Sequence, residues 1–228
     1  MAEVLVRRVD FGYFVRPAEE TGTGYPRVEP CLGYLVDHPR GTLLFDTGMG
    51  SHPDVDARYR PHRAQLGEAL AAIGTRPSDL SLAANCHLHF DHCGGNPLLG
   101  PTPVLVQSAE LDVARGTPDY TLPELIEGSR FEAITGEAEV LPGVFLVPTP
   151  GHTQGHQSLI IRKSDGAVIV AGQSHDTATQ DAADQLAWRA SLDGHSQPLP
   201  AIPAWINALQ AFDPRVVYFA HDRSVWSP

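Results

Sequence analysis

Three histidines and one aspartate fall within six residues in the stretch His87-Leu88-His89-Phe90-Asp91-His92. Imidazole nitrogens and a carboxylate are the donors that zinc and similar divalent ions take. The run just before, with Leu80, Leu82, Ala83 and Ala84, is apolar and reads as a buried strand that ends in a loop. Gly94 and Gly95 follow and let the backbone turn tightly. On an extended backbone His87 and His89 point the same way. Asp91 and His92 come where the chain begins to turn, so they aim at a second point. A lone histidine at a strand end is more often a hydrogen-bonded core residue, but four donors in this pattern read as a metal site.

More donors follow the same arrangement. Pro150-Gly151-His152-Thr153-Gln154-Gly155-His156 comes after the apolar run Val144-Phe145-Leu146-Val147, and His221 comes directly after Val216-Val217-Tyr218. A strand ending in a histidine thus recurs along the chain. Together with Gly33-Tyr34-Leu35-Val36, Leu44-Phe45-Asp46-Thr47-Gly48 and Ala220-His221-Asp222, in this order, these motifs resemble the metallo-β-lactamase superfamily. Within it the chain is most similar to the N-acyl-homoserine lactonase branch. The resemblance implies an α/β fold of the αββα sandwich type, with residues 1–228 forming a single domain. It implies zinc or another divalent ion, a first metal at His87, His89 and His152, and a second at Asp91, His92 and His221. It also casts Asp46 as a buried partner that braces the ligand loop. His156 is expected to support its loop through hydrogen bonds rather than to bind metal.

The pattern breaks at one place. The family carries an aspartate that bridges two metals at the end of the strand after the Gly-His-Thr motif; here Ala167-Val168-Ile169-Val170-Ala171-Gly172 ends in Gln173. An amide is a poor bridge, because its oxygen can bind a metal weakly and its nitrogen only donates. Lactonases usually place a substrate-orienting tyrosine three residues later, where this chain has Asp176. A firm first ion and a labile second are therefore expected, with Gln173, His175 and Asp176 the candidate replacements for metal or substrate contacts. Asp181 and Asp184 are expected to face solvent.

The elements that must position these groups are partly legible. Val4, Val6 and Val9 begin a strand, and residues 16–30, rich in Gly, Pro, Thr and Glu, read as a surface loop. Two strands, 31–36 and 42–45, are joined by a turn that accounts for His38. Residues 50–61 read as a loop that bears His52, with His62 just beyond. Leu66, Leu70 and Ile73 have helical spacing within 63–73, and Gly74 can end that helix. Strand 103–107 leads to a short helix through Arg115, for which Ser108 is the candidate cap. A helical turn is expected at 124–126, a hairpin around Ser164-Asp165-Gly166, a helix over 203–212 and a last strand at 216–219.

With 228 residues the chain can bury one substantial core. A net charge of −11 argues against a nucleic-acid partner and favours neutral or cationic substrates. Cys31, Cys86 and Cys93 make no disulfide framework, and the latter two read as packing residues beside the donor run. No membrane-spanning or signal-like run is present in the sequence, so a cytoplasmic home is expected; the oligomeric state is open. The combined reading is a metal-dependent hydrolase of a lactone or related ester. In it, hydroxide generated on the metal attacks the carbonyl, and Asp91 binds the second ion or passes a proton to the leaving alkoxide. The alternatives are a thioesterase or other hydrolase of the same fold, or a protein that binds metal and a small molecule without turnover.

Overall fold

The computed structural model describes residues 4–194 and 200–228. The first half runs β1 (Leu5–Arg16), β2 (Arg27–His38), β3 (Gly41–Phe45), α1 (Pro53–Tyr59), β4 (His62–Arg63) and α2 (Leu66–Ala71). Then come β5 (Leu82–Ala84), α3 (Phe90–Cys93), β6 (Val104–Gln107), α4 (Ser108–Gly116), α5 (Pro123–Glu127) and β7 (Phe131–Ile134). The second half adds β8 (Ala138–Leu141), β9 (Val144–Pro148), β10 (Gln157–Lys163) and β11 (Gly166–Val170). It closes with α6 (Ala178–Leu192), α7 (Ile206–Gln210) and β12 (Pro214–Tyr218).

The strands form two sheets, ordered β4-β1-β2-β3-β5-β6-β7 and β12-β11-β10-β9-β8. Alternate side chains of one strand serve two cores, as a pleat with period two requires. In β3, Leu43 and Phe45 join Tyr34, Val36 and Ala84 against Leu146, Leu159, Ile161 and Val170 of the facing sheet. Leu44 points the other way, into a layer with Leu35, Ala83 and Val104 that α2 covers with Leu66, Ala69 and Leu70. On the second sheet Ile160, Ile169 and Val217 are covered by Leu209 of α7. Helices thus lie on both outer faces of two packed sheets, which is the αββα arrangement. Because both faces of the central strands are buried, those strands are apolar throughout instead of alternating with polar residues.

Strand direction decides where the donors collect. β3, β5 and β6 are parallel neighbours, and so are β11 and β12. β9 and β11 each pair antiparallel with β10, so they run in one direction. The carboxyl ends of these strands therefore gather at one edge of the sandwich, where residues from both sheets can meet. Hydrogen bonds lock the two edges together: Gln157 N donates to Cys86 O (2.9 Å) and Leu32 N to Ala220 O (3.0 Å).

Several segments differ from the sequence reading. Residues 16–30 are not one surface loop: β2 begins at Arg27, and Glu29 within it is buried. Residues 53–59, read as loop, form α1, whose N-cap is His52, with Asp54 N donating to its Nδ1 (3.3 Å). The helix expected over 63–73 starts only at Leu66, where Glu68 accepts from Gln65 N (3.2 Å) and residues 62–63 pair with β1. Ser108 is the first residue of α4 rather than its cap, and its hydroxyl meets that of Thr135 (3.0 Å).

α6 lies in the stretch read only as polar. Its apolar residues form no stripe, since Leu186 and Leu192 are both exposed. A reciprocal cap starts it instead: Gln180 N donates to Thr177 Oγ1 (3.3 Å) and Thr177 N to Gln180 Oε1 (3.2 Å). Asp181 in its first turn does not face solvent. It is 6% exposed and lies 3.4 Å from His175 Nδ1.

Gly94, just after α3, is where the donor loop touches the loop after β3. A Cβ there would sit 2.0 Å from Gly50 N and 2.1 Å from the Met49 carbonyl carbon, and neither is a side chain that can move away. Gly94→Ala should therefore destabilise the protein by about 2–3 kcal/mol. That corresponds to a melting point lower by roughly 5–10 °C for a domain of this size, readable by calorimetry.

Candidate metal centre

The donor loop leaves β5 at Ala84 and places Cys86, His87 and Leu88 in the interior, all fully buried. His87 Nε2 lies 3.0 Å from His89 Nδ1, and His152 Nε2 lies 3.2 Å from the same His89 atom. Imidazole nitrogens at such separations gain nothing from one another unless a proton or a cation lies between them. Around a tetrahedral zinc with Zn–N bonds of 2.0–2.1 Å, ligand nitrogens stand about 3.3 Å apart. Burial pushes His87 well below the ordinary imidazole range, and neighbouring imidazoles add to the effect. Partial desolvation and His89 lower His152 in the same way. Both rings are thus neutral, with lone pairs to offer.

A second trio sits beside the first. Asp91 Oδ2 is 3.4 Å from His92 Nε2 and 3.3 Å from His221 Nε2, and the two imidazole atoms are 3.1 Å apart. Burial opposes charge on Asp91, but His92, His221 and His89 around it hold its carboxyl far below the usual range. Within each trio the ligand atoms lie within 4.8 Å of one another. The chemistry of these donors fits a divalent ion at each point.

The tautomers are fixed from behind. Asp46 accepts from His92 Nδ1 (3.0 Å) and from Cys86 N (2.8 Å), so His92 turns Nε2 to the centre. Pro30 O accepts from His221 Nδ1 (2.9 Å) with the same result. Asp46 does this from a left-handed backbone, φ +63°, which a short polar side chain tolerates better than most. Burial disfavours charge on His92, yet the carboxylates of Asp91 and Asp46 beside it hold it above the ordinary imidazole range. A cation would therefore have to displace its proton.

His156 is buried and works through hydrogen bonds. Its Nε2 accepts from Gln173 N (3.1 Å), so its Nδ1 carries the proton towards Thr149 Oγ1 (2.8 Å). Cys86 is grouped with His87 and His92, but it meets their Nδ1 atoms at 3.1 and 3.2 Å, the far side from the centre. Burial raises its thiol strongly, so it stays protonated and donates to Asp46 Oδ2 (3.1 Å). Cys93 is likewise buried, and its thiol donates to His89 O (3.2 Å).

Gln173 reaches the site, and its two candidate helpers do not. Asp176 accepts from Gln173 Nε2 (3.2 Å) and from Arg27 Nη2 (3.0 Å). His175 turns away to Asp184, with Nε2 3.0 Å from Oδ2. Asp184 is thus engaged instead of free in solvent. Of the loop histidines, His52 lines the cavity described next, while His62 stacks on Tyr13 with ring centroids 5.0 Å apart.

A cavity of about 890 Å³ opens onto the donors His89, Asp91, His152 and Gln173. Phe14, Val55, Tyr59, Phe90, Tyr120 and Leu122 supply its apolar wall, and Arg16 and Arg58 its cationic groups. Arg58 is engaged by Glu20 (2.6 Å), and Arg16 spans both oxygens of Glu29 (2.8 and 2.7 Å).

Sequence reasoning missed Glu110, which is fully buried in the first turn of α4. Its carboxylate accepts from Leu88 N (2.8 Å), between His87 and His89, and from Thr153 Oγ1 (2.7 Å), beside His152. The Tyr120 hydroxyl is its third donor. One carboxylate thus ties together the two loops that carry the first donor trio. Its neighbour Gly155 leaves the space, since a Cβ there would lie 2.3 Å from Glu110 N. An acidic residue at a helix start is ordinary in sequence, and nothing local marks this one as buried.

The model of the metallo-beta-lactamase superfamily matches residues 26–221, and the chain belongs to that superfamily. It is 35% identical over 155 residues to an N-acyl homoserine lactonase of a Bacillus species, covering 62% of each chain. It is 27% identical over 195 residues to N-acyl homoserine lactonase AiiB of Agrobacterium fabrum, covering 73% of this chain and 70% of that one. The chain spans about 62% of the length of the Bacillus relatives it matches. Among solved structures, an N-acyl homoserine lactone hydrolase with N-hexanoyl-L-homoserine at its catalytic metal centre superposes with a TM-score of 0.71. Its identity is 24%, with 96% of this chain and 93% of that one covered, which speaks for the fold.

Removing the Glu110 carboxylate leaves three donors facing an apolar hole. Glu110→Ala should cost about 3 kcal/mol or more, whereas Glu110→Gln, which keeps one acceptor oxygen, should cost roughly half as much. Urea denaturation followed by circular dichroism measures both.

Proposed function

We propose that this chain is a metal-dependent hydrolase that opens a lactone or a closely related ester. The observation that carries the reading is the meeting of two donor trios, His87/His89/His152 and Asp91/His92/His221, at the floor of one cavity. A divalent ion, zinc by the character of the donors, would supply Lewis acidity and a water acidic enough to lose its proton near neutral pH.

The chain's own groups account for the rest. His87, His89 and His152 offer neutral nitrogens, and Glu110 holds the loops that carry them. Asp91 is ionised and lies at the cavity wall, so it either completes the second donor set or holds a proton. In hydrolysis, the oxygen of water bonds to the carbonyl carbon and the ring C–O bond breaks. The proton released goes to the departing alkoxide, and Asp91 is the group placed to pass it. Phe14, Tyr59, Phe90 and Leu122 would receive an apolar acyl portion and exclude bulk water from the reacting carbonyl. The related lactonases support a small neutral ester as substrate.

The chain purified without chelator should contain a divalent transition metal by elemental analysis. His87→Ala or His152→Ala should reduce the tightly bound metal by roughly 10-fold or more. Stripping with chelator should abolish hydrolysis of an acyl lactone, and added Zn²⁺ should restore it. Turnover of thioesters but not lactones would replace this reading with a thioesterase. Metal retained with no ester cleaved would leave a binding protein, and no metal even after reconstitution would end the hydrolase reading.

A further inference from the structure

We propose that Asp176 is a positioning residue that captures the side-chain nitrogen of Gln173 and so turns the amide oxygen toward the donor trios as a neutral metal ligand. The proposal rests on the metal-dependent reading above and extends it to a residue whose part in the site is otherwise undefined.

Gln173 is 4% exposed, and its backbone is fixed by donation to His156 Nε2 (3.1 Å). It lies between two cavities, sharing one with His89, Asp91 and His152 and the other with His175, Asp176 and Asp184. An amide's two ends are similar in size and opposite in chemistry, so its orientation is dictated by its partners. A carboxylate only accepts, and Asp176 Oδ1 lies 3.2 Å from the amide nitrogen. The nitrogen must therefore face Asp176, which leaves the oxygen for the other side. Among the described residues no donor reaches that oxygen. An acceptor at the wall of a cavity lined by metal donors is suited to a cation.

Asp176 can play this part because it is itself held in place. Arg27 Nη2 donates to Oδ2 at 3.0 Å, and Arg16 Nη2 stands 4.0 Å from Oδ1. Both arginines also hold Glu29, at 2.7 Å and 2.5 Å. Two cations and two anions cancel, so this network lends the centre almost no net charge. Its contribution is orientation.

The test titrates Zn²⁺ into the chelator-stripped full chain by calorimetry and records the visible absorption of the Co²⁺-loaded protein. Gln173→Ala and Asp176→Ala should each weaken Zn²⁺ binding by about 10-fold, the scale of losing support behind a ligand. The double variant should bind no more weakly than either single, because both remove one interaction. The Co²⁺ spectrum should change in the same way in both, while unfolding midpoints shift independently of it. With Gln173→Asp, both ends of the side chain are oxygens, so adding Asp176→Ala should leave Zn²⁺ affinity unchanged. Asp176→Asn preserves volume and serves if the alanine variant does not fold, with a several-fold loss expected. Unaltered Zn²⁺ affinity and spectrum in Gln173→Ala would overturn the proposal, as would losses that add in the double variant. Those outcomes leave the hydrolase reading standing. No Zn²⁺ bound by the unaltered chain would overturn both.

Discussion

The centre depends on one constraint: an imidazole offers a lone pair on one nitrogen only if its proton is held on the other. His92 satisfies it through Asp46 and His221 through the Pro30 carbonyl. His156, which is no part of the trios, obeys the same rule through Thr149 and presents its free nitrogen to the backbone of Gln173. Asp46 and Pro30 each lie on a different element from the histidine they serve, and Pro30 and His221 come from different sheets. The site can therefore exist only when the sandwich is closed.

Closure is costly to disturb because the acceptors are buried. Glu110 joins the loop after β5 to the loop after β9, two strands that belong to different sheets. Gln157 repeats the link one layer deeper, its side-chain nitrogen donating to Asn85 O (2.8 Å) beside the donor loop. In a dry interior such polar links are strong when complete and expensive when broken. They make the position of the donors a property of the whole fold rather than of any loop.

Charge is distributed with a similar economy. The chain is acidic overall, at −11, yet only one carboxylate, Asp91, belongs to the two donor trios. Gln173 adds none, and the charges behind it, Arg16, Arg27, Glu29 and Asp176, cancel as a group. A second divalent ion would find fewer negative charges than a carboxylate at position 173 would provide. Repulsion between two dications a few ångströms apart makes that shortfall matter.

Sequence by itself determined the parts of this protein whose chemistry is local. The run from His87 to His92, His152 after its strand and His221 after the last one could be read as donors because residue type and strand ends are written in order along the chain. The superfamily fold followed from the same motifs. Helix α6 could not be read, because its stability comes from the Thr177–Gln180 cap and from packing of a few residues rather than from an apolar stripe. Asp181 and Asp184 looked like solvent-facing acids until the fold set His175 against both of them. Tertiary structure alone decided which carboxylates are structural. Glu29 is buried by two arginines, one on a neighbouring strand, and Glu110 by donors 22 and 43 residues away in the chain. A hydrogen bond between segments so distant leaves no local trace, since each residue is ordinary in its own neighbourhood and acquires its role only from what the sheets bring beside it.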